Sequence, residues 1–255
     1  MTDQPPPSPL IQVVDLVQTI GGQQILRGFS LNVFRGETLV LLGKSGGGKS
    51  VFLRHLIGLM KPINGSIHFE GLDITMLRER ELEPVRKKIG MVFQDGALFD
   101  SLNVYQNVAF PLRERGEKDE SVLEQRVEEA LAMVNMTGHA HKMPVNLSGG
   151  MRKRVALARA IISPPEVLLY DEPTAGLDPI VSDSINRLIR RLQREMKVTS
   201  IVVTHDMTST YRIADRVALL HEGRLHFYGA IDDLKKTDDR IVRDFVDGRS
   251  TDTDL

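Results

Sequence analysis

Residues 43–50 read Gly43-Lys44-Ser45-Gly46-Gly47-Gly48-Lys49-Ser50. They fit the spacing G-x-x-x-x-G-K-[ST], with Gly43, Gly48, Lys49 and Ser50 in the fixed places. The run before them, Glu37 to Leu42, has the composition of a buried strand, and Ser50 to Leu59 carries apolar residues at helical spacing. The order is therefore strand, glycine loop, helix. Glycines let successive backbone N–H groups curl around phosphate oxygens, and the helix N-terminus adds partial positive charge. In such a loop Lys49 reaches the β- and γ-phosphates and the Ser50 hydroxyl ligates Mg²⁺. Residues 43–51, ending at Val51, are the expected nucleotide cradle. A flexible turn is the ordinary alternative, and the pattern is too specific for it.

With 255 residues, 41% of them hydrophobic, the chain can build one large domain or two small lobes with real cores. Its net charge of −1 supplies no global field for nucleic acid, so none is expected as a partner. The basic run Arg152-Lys153-Arg154 reads as a solvated helix face. Cysteine is absent, which excludes disulfides and thiolate metal sites. Residues 1–10 are polar and proline-rich, expected as a flexible arm without the features of a signal peptide. No apolar run reaches the length needed to cross a bilayer. A soluble chain that can dock onto a membrane protein is expected.

Residues 11–42 hold three β-like runs, Ile11–Val17, Gln24–Val33 and Thr38–Leu42, punctuated by Gly21-Gly22 and Arg35-Gly36. Ser66–Phe69 and residues 88–93 add two more strands. Ser121-Val-Leu-Glu124 has the capping-box pattern and is expected to open a helix that stops near Gly138. A second helix is expected from Gly149 to about Ile162, before Pro164-Pro165. Val167–Tyr170 and Ser200–Val203 read as buried parallel strands joined by a helix over Val181–Lys197. A hairpin over Ala218–Tyr228 and one or two charged helices over Ile231–Asp247 follow. The predicted fold is α/β: one core with a helical insertion at about 96–165.

Val167-Leu-Leu-Tyr-Asp171-Glu172 is an apolar strand ending in two acids, which delivers both carboxylates to its C-terminal edge. There Asp171 is placed to hold Mg²⁺ and Glu172 to polarise an attacking water as general base. Standing alone, such a pair is more often a solvated turn.

With Leu147-Ser148-Gly149-Gly150-Met151 added, the chain resembles ATP-binding cassette (ABC) ATPases over about residues 11–230. The resemblance implies a P-loop NTPase core, an N-terminal antiparallel β part and a helical subdomain at about 96–165, followed by a helical tail over 231–255. It also implies ATP and Mg²⁺ as cofactors. By the same resemblance Ser148, Gly149 and Gly150 cap the γ-phosphate held by a second copy of the chain, so that ATP joins two copies head to tail. Gln94 matches the glutamine linking the Mg²⁺ site to the helical lobe, although alone it reads as a surface residue. Asp178, in Gly176-Leu-Asp-Pro179, matches the loop facing the opposite subunit, and it also reads as a helix N-cap. His205 matches the histidine that hydrogen-bonds the γ-phosphate. Two positions depart from the pattern. Ile20 stands where an aromatic residue often stacks on adenine, a contact worth about 1–3 kcal/mol per base. Met151 replaces the commoner glutamine.

Within that family, Val85–Leu112, Gly48-Lys-Ser-Val51 and Leu147–Met151 look like the ATPase of Mla/Mce-type lipid-transport systems of bacterial envelopes. The resemblance implies a homodimer at the cytoplasmic face of the inner membrane, docked on a separate polytopic permease. It further implies a periplasmic Mce-type lipid-binding protein reached through the permease, and in some systems a small cytoplasmic accessory subunit. Read as a loop, Gly96–Leu112 offers excess apolar surface in Leu98, Phe99, Val104, Tyr105, Val108 and Phe110. These residues either form a groove for a permease helix or pack the helical lobe. Ile241, Val242, Phe245 and Val246 of the tail are expected to face a neighbouring subunit. The alternatives are the ATPase of a small-solute importer, such as one for amino acids, and a soluble ABC protein outside transport. The latter class usually shows two cassettes, a coiled-coil insertion or metal-binding cysteines, none of which is here.

Overall fold

The structure is a computed structural model and describes residues 8–249. In chain order the elements are β1 (Ile11–Ile20), β2 (Gln23–Val33), β3 (Thr38–Leu42), α1 (Lys49–Leu56), β4 (Asn64–Phe69), β5 (Leu72–Asp73), α2 (Glu79–Lys87) and β6 (Ile89–Val92). Next come α3 (Val104–Glu114), α4 (Glu120–Met133), a 3-10 turn (Pro144–Asn146), α5 (Gly149–Ile161), β7 (Val167–Asp171), α6 (Pro179–Met196) and β8 (Thr199–Thr204). The chain closes with α7 (Met207–Ile213), β9 (Arg216–His221), β10 (Arg224–Ala230), α8 (Ile231–Lys236) and α9 (Arg240–Val246). These elements form two compact units, one from residues up to 82 and from 203 onward, the other from 83 to 202.

The first unit holds an antiparallel sheet in the order β2-β1-β4-β5. Gly21 and Gly22, at φ 58° and 81°, make the tight turn between its first two strands. A second layer pairs β3 in parallel with β9, and β9 antiparallel with β10. All five residues of β3 are buried, as expected of an apolar run covered on both faces. Leu10 is 2% exposed, its N–H donates to Val33 O, and its carbonyl accepts from Glu70 N. The ordered backbone therefore includes the last residue of the expected arm, whose residues 1–7 lie outside the described ones. In the tail, Val242 is 1% exposed and so is already covered within this chain, while Ile241, Phe245 and Val246 are half-buried.

The second unit sets β6 parallel to β7, from Ile89 opposite Val167 to Val92 opposite Tyr170. Its helices depart from the sequence expectations in instructive ways. Helix α4 starts two residues early: Asp119 is its N-cap and accepts from Ser121 N, so Ser121 is capped rather than capping. The same helix ends at Met133, and the left-handed residue after it is Asn135 at φ 56°, not Gly138. The stretch expected as a loop over 96–112 contains helix α3, despite Pro111 inside it. A reciprocal capping box opens α3. Asn103 Oδ1 accepts from Gln106 N at 2.8 Å and Gln106 Oε1 accepts from Asn103 N at 2.9 Å. Helix α2 likewise contains a proline, Pro84.

Helix α3 also divides the apolar residues that sequence alone left together. Val104 and Val108 are fully buried, whereas Phe99 is 43% exposed and Phe110 lies 4.7 Å from it, ring centre to ring centre. Buried Asn107 fixes that arrangement: it donates to the carbonyls of Phe99, Leu102 and Asn103 and accepts from Phe99 N at 2.8 Å. The result is a groove of about 470 Å³ lined by Ile89, Met91, Phe93, Phe99, Phe110 and Pro111, with Arg115 and Arg159 at its edge.

Candidate functional site

In the first unit the chain leaves β3, crosses the glycine loop and enters α1 at Lys49. Gly48 is the N-cap, at φ 101° in the left-handed region; a Cβ there would also meet Ile25 Cγ2 at 2.8 Å. No side chain caps α1, and its first turn holds no acid. A helix start of this kind suits an anion. Lys49 is 5% exposed and folds back over the loop, donating to Gly43 O at 2.7 Å and Lys44 O at 3.1 Å. An ammonium held by two carbonyls beside a helix N-terminus can transfer its donors to phosphate oxygens, so the loop fits a nucleoside triphosphate. Ile20 ends β1 opposite Gln23 and is 41% exposed. His205 is exposed and directly follows β8, just before Asp206, which caps α7 through Thr208 N and Ser209 N.

A histidine that the sequence reading passed over stands inside this unit. His55 on α1 is 1% exposed, with Nδ1 2.8 Å from Val51 O and Nε2 3.2 Å from Gln18 Oε1. Burial holds its pKa below the ordinary histidine value, against the raising effect of the Val51 hydrogen bond.

In the second unit β7 delivers Asp171 and Glu172, 8% and 9% exposed, to its carboxyl end. Glu172 adopts φ 44°, a left-handed conformation that costs a non-glycine residue about 1–3 kcal/mol. Its carbonyl accepts from Ala175 N at 3.2 Å and from Lys153 Nζ at 3.4 Å. Two nearly buried carboxylates at one strand end are donors suited to a divalent cation. Lys153 also donates to the carbonyl of Gln94, whose side chain is exposed beyond β6. Burial lowers the Lys153 pKa, and Asp95, Asp171 and Glu172 partly restore it.

Ser148, Gly149 and Gly150, the family's signature residues by resemblance, come together with Asp178 in this unit. Ser148 is the N-cap of α5 and its Oγ accepts from Met151 N at 3.3 Å. A Cβ on Gly149 would meet Leu177 Cδ2 at 3.1 Å, and one on Gly150 would meet Val181 Cγ1 at 2.5 Å. Asp178 caps α6, accepting from Ile180 N and Val181 N at 3.0 Å each. Packing therefore limits both positions to glycine, Gly150 in the buried interior and Gly149 half-buried at the helix start.

The basic run Arg152-Lys153-Arg154 is not a solvated face. Arg152 is exposed, but Lys153 is 6% exposed and Arg154 donates to Val134 O and Ser184 Oγ. The helical spacing Gly150, Lys153, Leu157, Ile161 puts the lysine on the inward stripe, a signal the sequence carried.

The sequence matches the ABC transporter family over residues 26–175. It is 42% identical over 239 residues to the probable ribonucleotide transport ATP-binding protein mkl of Mycobacterium tuberculosis, covering 94% of this chain and 67% of that protein. It is 40% identical over 241 residues to the intermembrane phospholipid transport system ATP-binding protein MlaF of Haemophilus influenzae, covering 94% of this chain and 91% of that protein. Its fold is similar to a dimeric structure of a post-hydrolysis state of the ATP-binding cassette MJ0796, bound to ADP and Pi. The TM-score is 0.79 at 31% identity, over 87% of this chain and 98% of that one. The chain belongs to the ABC transporter family as an ATP-binding, ATP-hydrolysing cassette.

Proposed function

We propose that this cassette powers phospholipid transport of the Mla/Mce type, working as a homodimer on a separate permease at the cytoplasmic face of a bacterial inner membrane. Residues 11–230 form the ATPase domain, with the helical subdomain at about 96–165 and the 231–255 tail as a contact for neighbouring subunits. Residues 43–51 hold the ATP phosphates and Ile20 contacts the base. By resemblance Ser50, Gln94 and Asp171 would hold Mg²⁺, which when bound neutralises charge developing on the transferred phosphoryl group. Glu172 takes a proton from the attacking water, and His205 hydrogen-bonds the γ-phosphate. Ser148, Gly149, Gly150 and Asp178 serve the nucleotide of the second copy. Among the described residues no helix is long and apolar enough to cross a membrane, consistent with a peripheral subunit.

One observation carries the transport branch. Nine of the fourteen residues lining the apolar groove, from Lys87 to Pro111, belong to the 85–112 segment by which the sequence resembles Mla/Mce ATPases. A segment characteristic of a branch is expected where a branch-specific permease docks, and an apolar groove receives a short amphipathic helix. The small-solute reading, an importer such as one for amino acids, draws on a 41% identity over 235 residues to the methionine import ATP-binding protein MetN of Brucella abortus. The two part in an affinity capture of tagged Glu172→Gln chain with ATP from native membranes in mild detergent. A permease with an Mce-type protein and phospholipid is the expected catch, with or without an accessory subunit. A permease with a solute-binding protein moves the assignment to an importer, and no membrane protein at all removes the transport reading.

A further inference from the structure

Helix α5 carries a buried cation that none of the roles above uses. Lys153 sits five residues beyond the N-cap Ser148 and is 6% exposed. Its ammonium grips two carbonyls at once, those of Gln94 and Glu172. Gln94 lies two residues past the end of β6, and Glu172 is the residue after β7. Six positions further along α5, Arg159 donates to Gly96 O and Ala97 O at 2.7 Å each. Three of the four residues from Gln94 to Ala97 thus give their carbonyls to one helix.

Burying an ammonium is costly, and a methionine of similar length would fill the same space without that cost. What the ammonium adds is several rotatable donors, which let one side chain hold carbonyls from two strand ends. The grip matters at Glu172 because its backbone is left-handed at φ 44°, and the lysine adds to the hold that Ala175 N has on the same carbonyl. Releasing the carbonyl allows the peptide to relax and the carboxylate to turn.

We infer that Lys153 is a positioning residue for ATP hydrolysis, tying the signature helix α5 to the backbones of Gln94 and Glu172 so that both residues follow that helix. The inference rests on the reading of Glu172 as the base. Since α5 begins at Ser148–Gly150, an anion captured there and a shift of the helix become a shift of this chain's own base.

The test is steady-state ATP hydrolysis by the full chain as wild type, Lys153→Met, Lys153→Arg and Glu172→Gln, with thermal melts of each. Lys153→Met is expected to melt as a folded protein and to keep KM for ATP within about twofold. Its kcat should fall by about tenfold or more, the scale of a misplaced catalytic group. Lys153→Arg, which keeps a cation and donors, should recover a substantial part of that kcat. An unchanged kcat in folded Lys153→Met overturns the inference, as does a Lys153→Met chain that cannot be recovered folded, because the lysine is then plain structure. Arginine failing to exceed methionine also overturns it. Glu172→Gln keeps the two readings apart: if it still turns over, the base assignment fails whatever Lys153 does.

Discussion

Gly150 and Val181 meet with no room for a side chain between them: a Cβ on the glycine would lie 2.5 Å from Val181 Cγ1. Helices α5 and α6 touch through this glycine, and valine in a helix is stiff at χ1, so its methyl cannot swing away cheaply. Gly150→Ala is therefore expected to destabilise the chain by about 1–3 kcal/mol through overpacking. Val181→Ala added to it should return most of that loss, read from denaturant melts of the two chains. Equal stability of Gly150→Ala and wild type would mean that Val181 yields, leaving anion contact as the glycine's main role. Activity losses at Gly150 should accordingly be read only alongside stability.

The phosphate loop, the Asp171-Glu172 strand and the parallel core were legible in the sequence because each combines an apolar run with a fixed punctuation. Helices α2 and α3 were not, since Pro84 and Pro111 sit inside them. A proline ordinarily ends a helix, and here the Asn103–Gln106 box and the buried Asn107 give α3 enough anchorage to carry one. Lys153 was missed for another reason: a run of three basic residues suggests one solvated face, but on a helix consecutive residues point about 100° apart. One of the three had to turn inward. Ser148 and Asp178 are the opposite case: the structure shows each as an N-cap, and the partner-facing role proposed for them leaves no mark of its own in that capping geometry.

His55 gives the chain a pH dependence of definite sign. Its folded pKa is lowered, with burial the leading cause, so the fold keeps the ring neutral while the unfolded chain titrates near 6.5. As pH falls through 6.5 the unfolded state takes up a proton that the fold refuses, and stability is lost. The contribution is fully present above the unfolded value and declines toward the folded one, at a limiting slope of about 1.4 kcal/mol per pH unit. Chemical denaturation at pH 7.5 and 5.5 should show a larger loss for wild type than for His55→Gln, which cannot titrate. Parallel losses in the two chains would remove His55 as the source.

Sharing of nucleotide sites between copies is testable by mixing two inactive chains. Ser148→Arg places a guanidinium where the α5 N-terminus is proposed to meet the partner's γ-phosphate, and it also removes an N-cap worth about 1 kcal/mol. Lys49→Ala removes the buried ammonium held over Gly43 and Lys44, and should weaken ATP binding in its own loop. Each chain alone is expected to hydrolyse little ATP. In a mixed dimer the Lys49→Ala chain supplies an unaltered Ser148 to the unaltered phosphate loop of the Ser148→Arg chain, which rebuilds one complete site. With independent sites, statistical pairing makes half of the dimers mixed, so an equimolar mixture should regain about a quarter of the wild-type rate if association and per-site turnover are unchanged. The mixture is measured against each chain alone at the same total concentration, with ATP binding and melting curves confirming that the Ser148→Arg chain is folded and loaded. No regain from folded, loaded chains that do form mixed dimers means that one rebuilt site does not turn over by itself. Full activity of Ser148→Arg alone means that Ser148 does not serve a partner's phosphate.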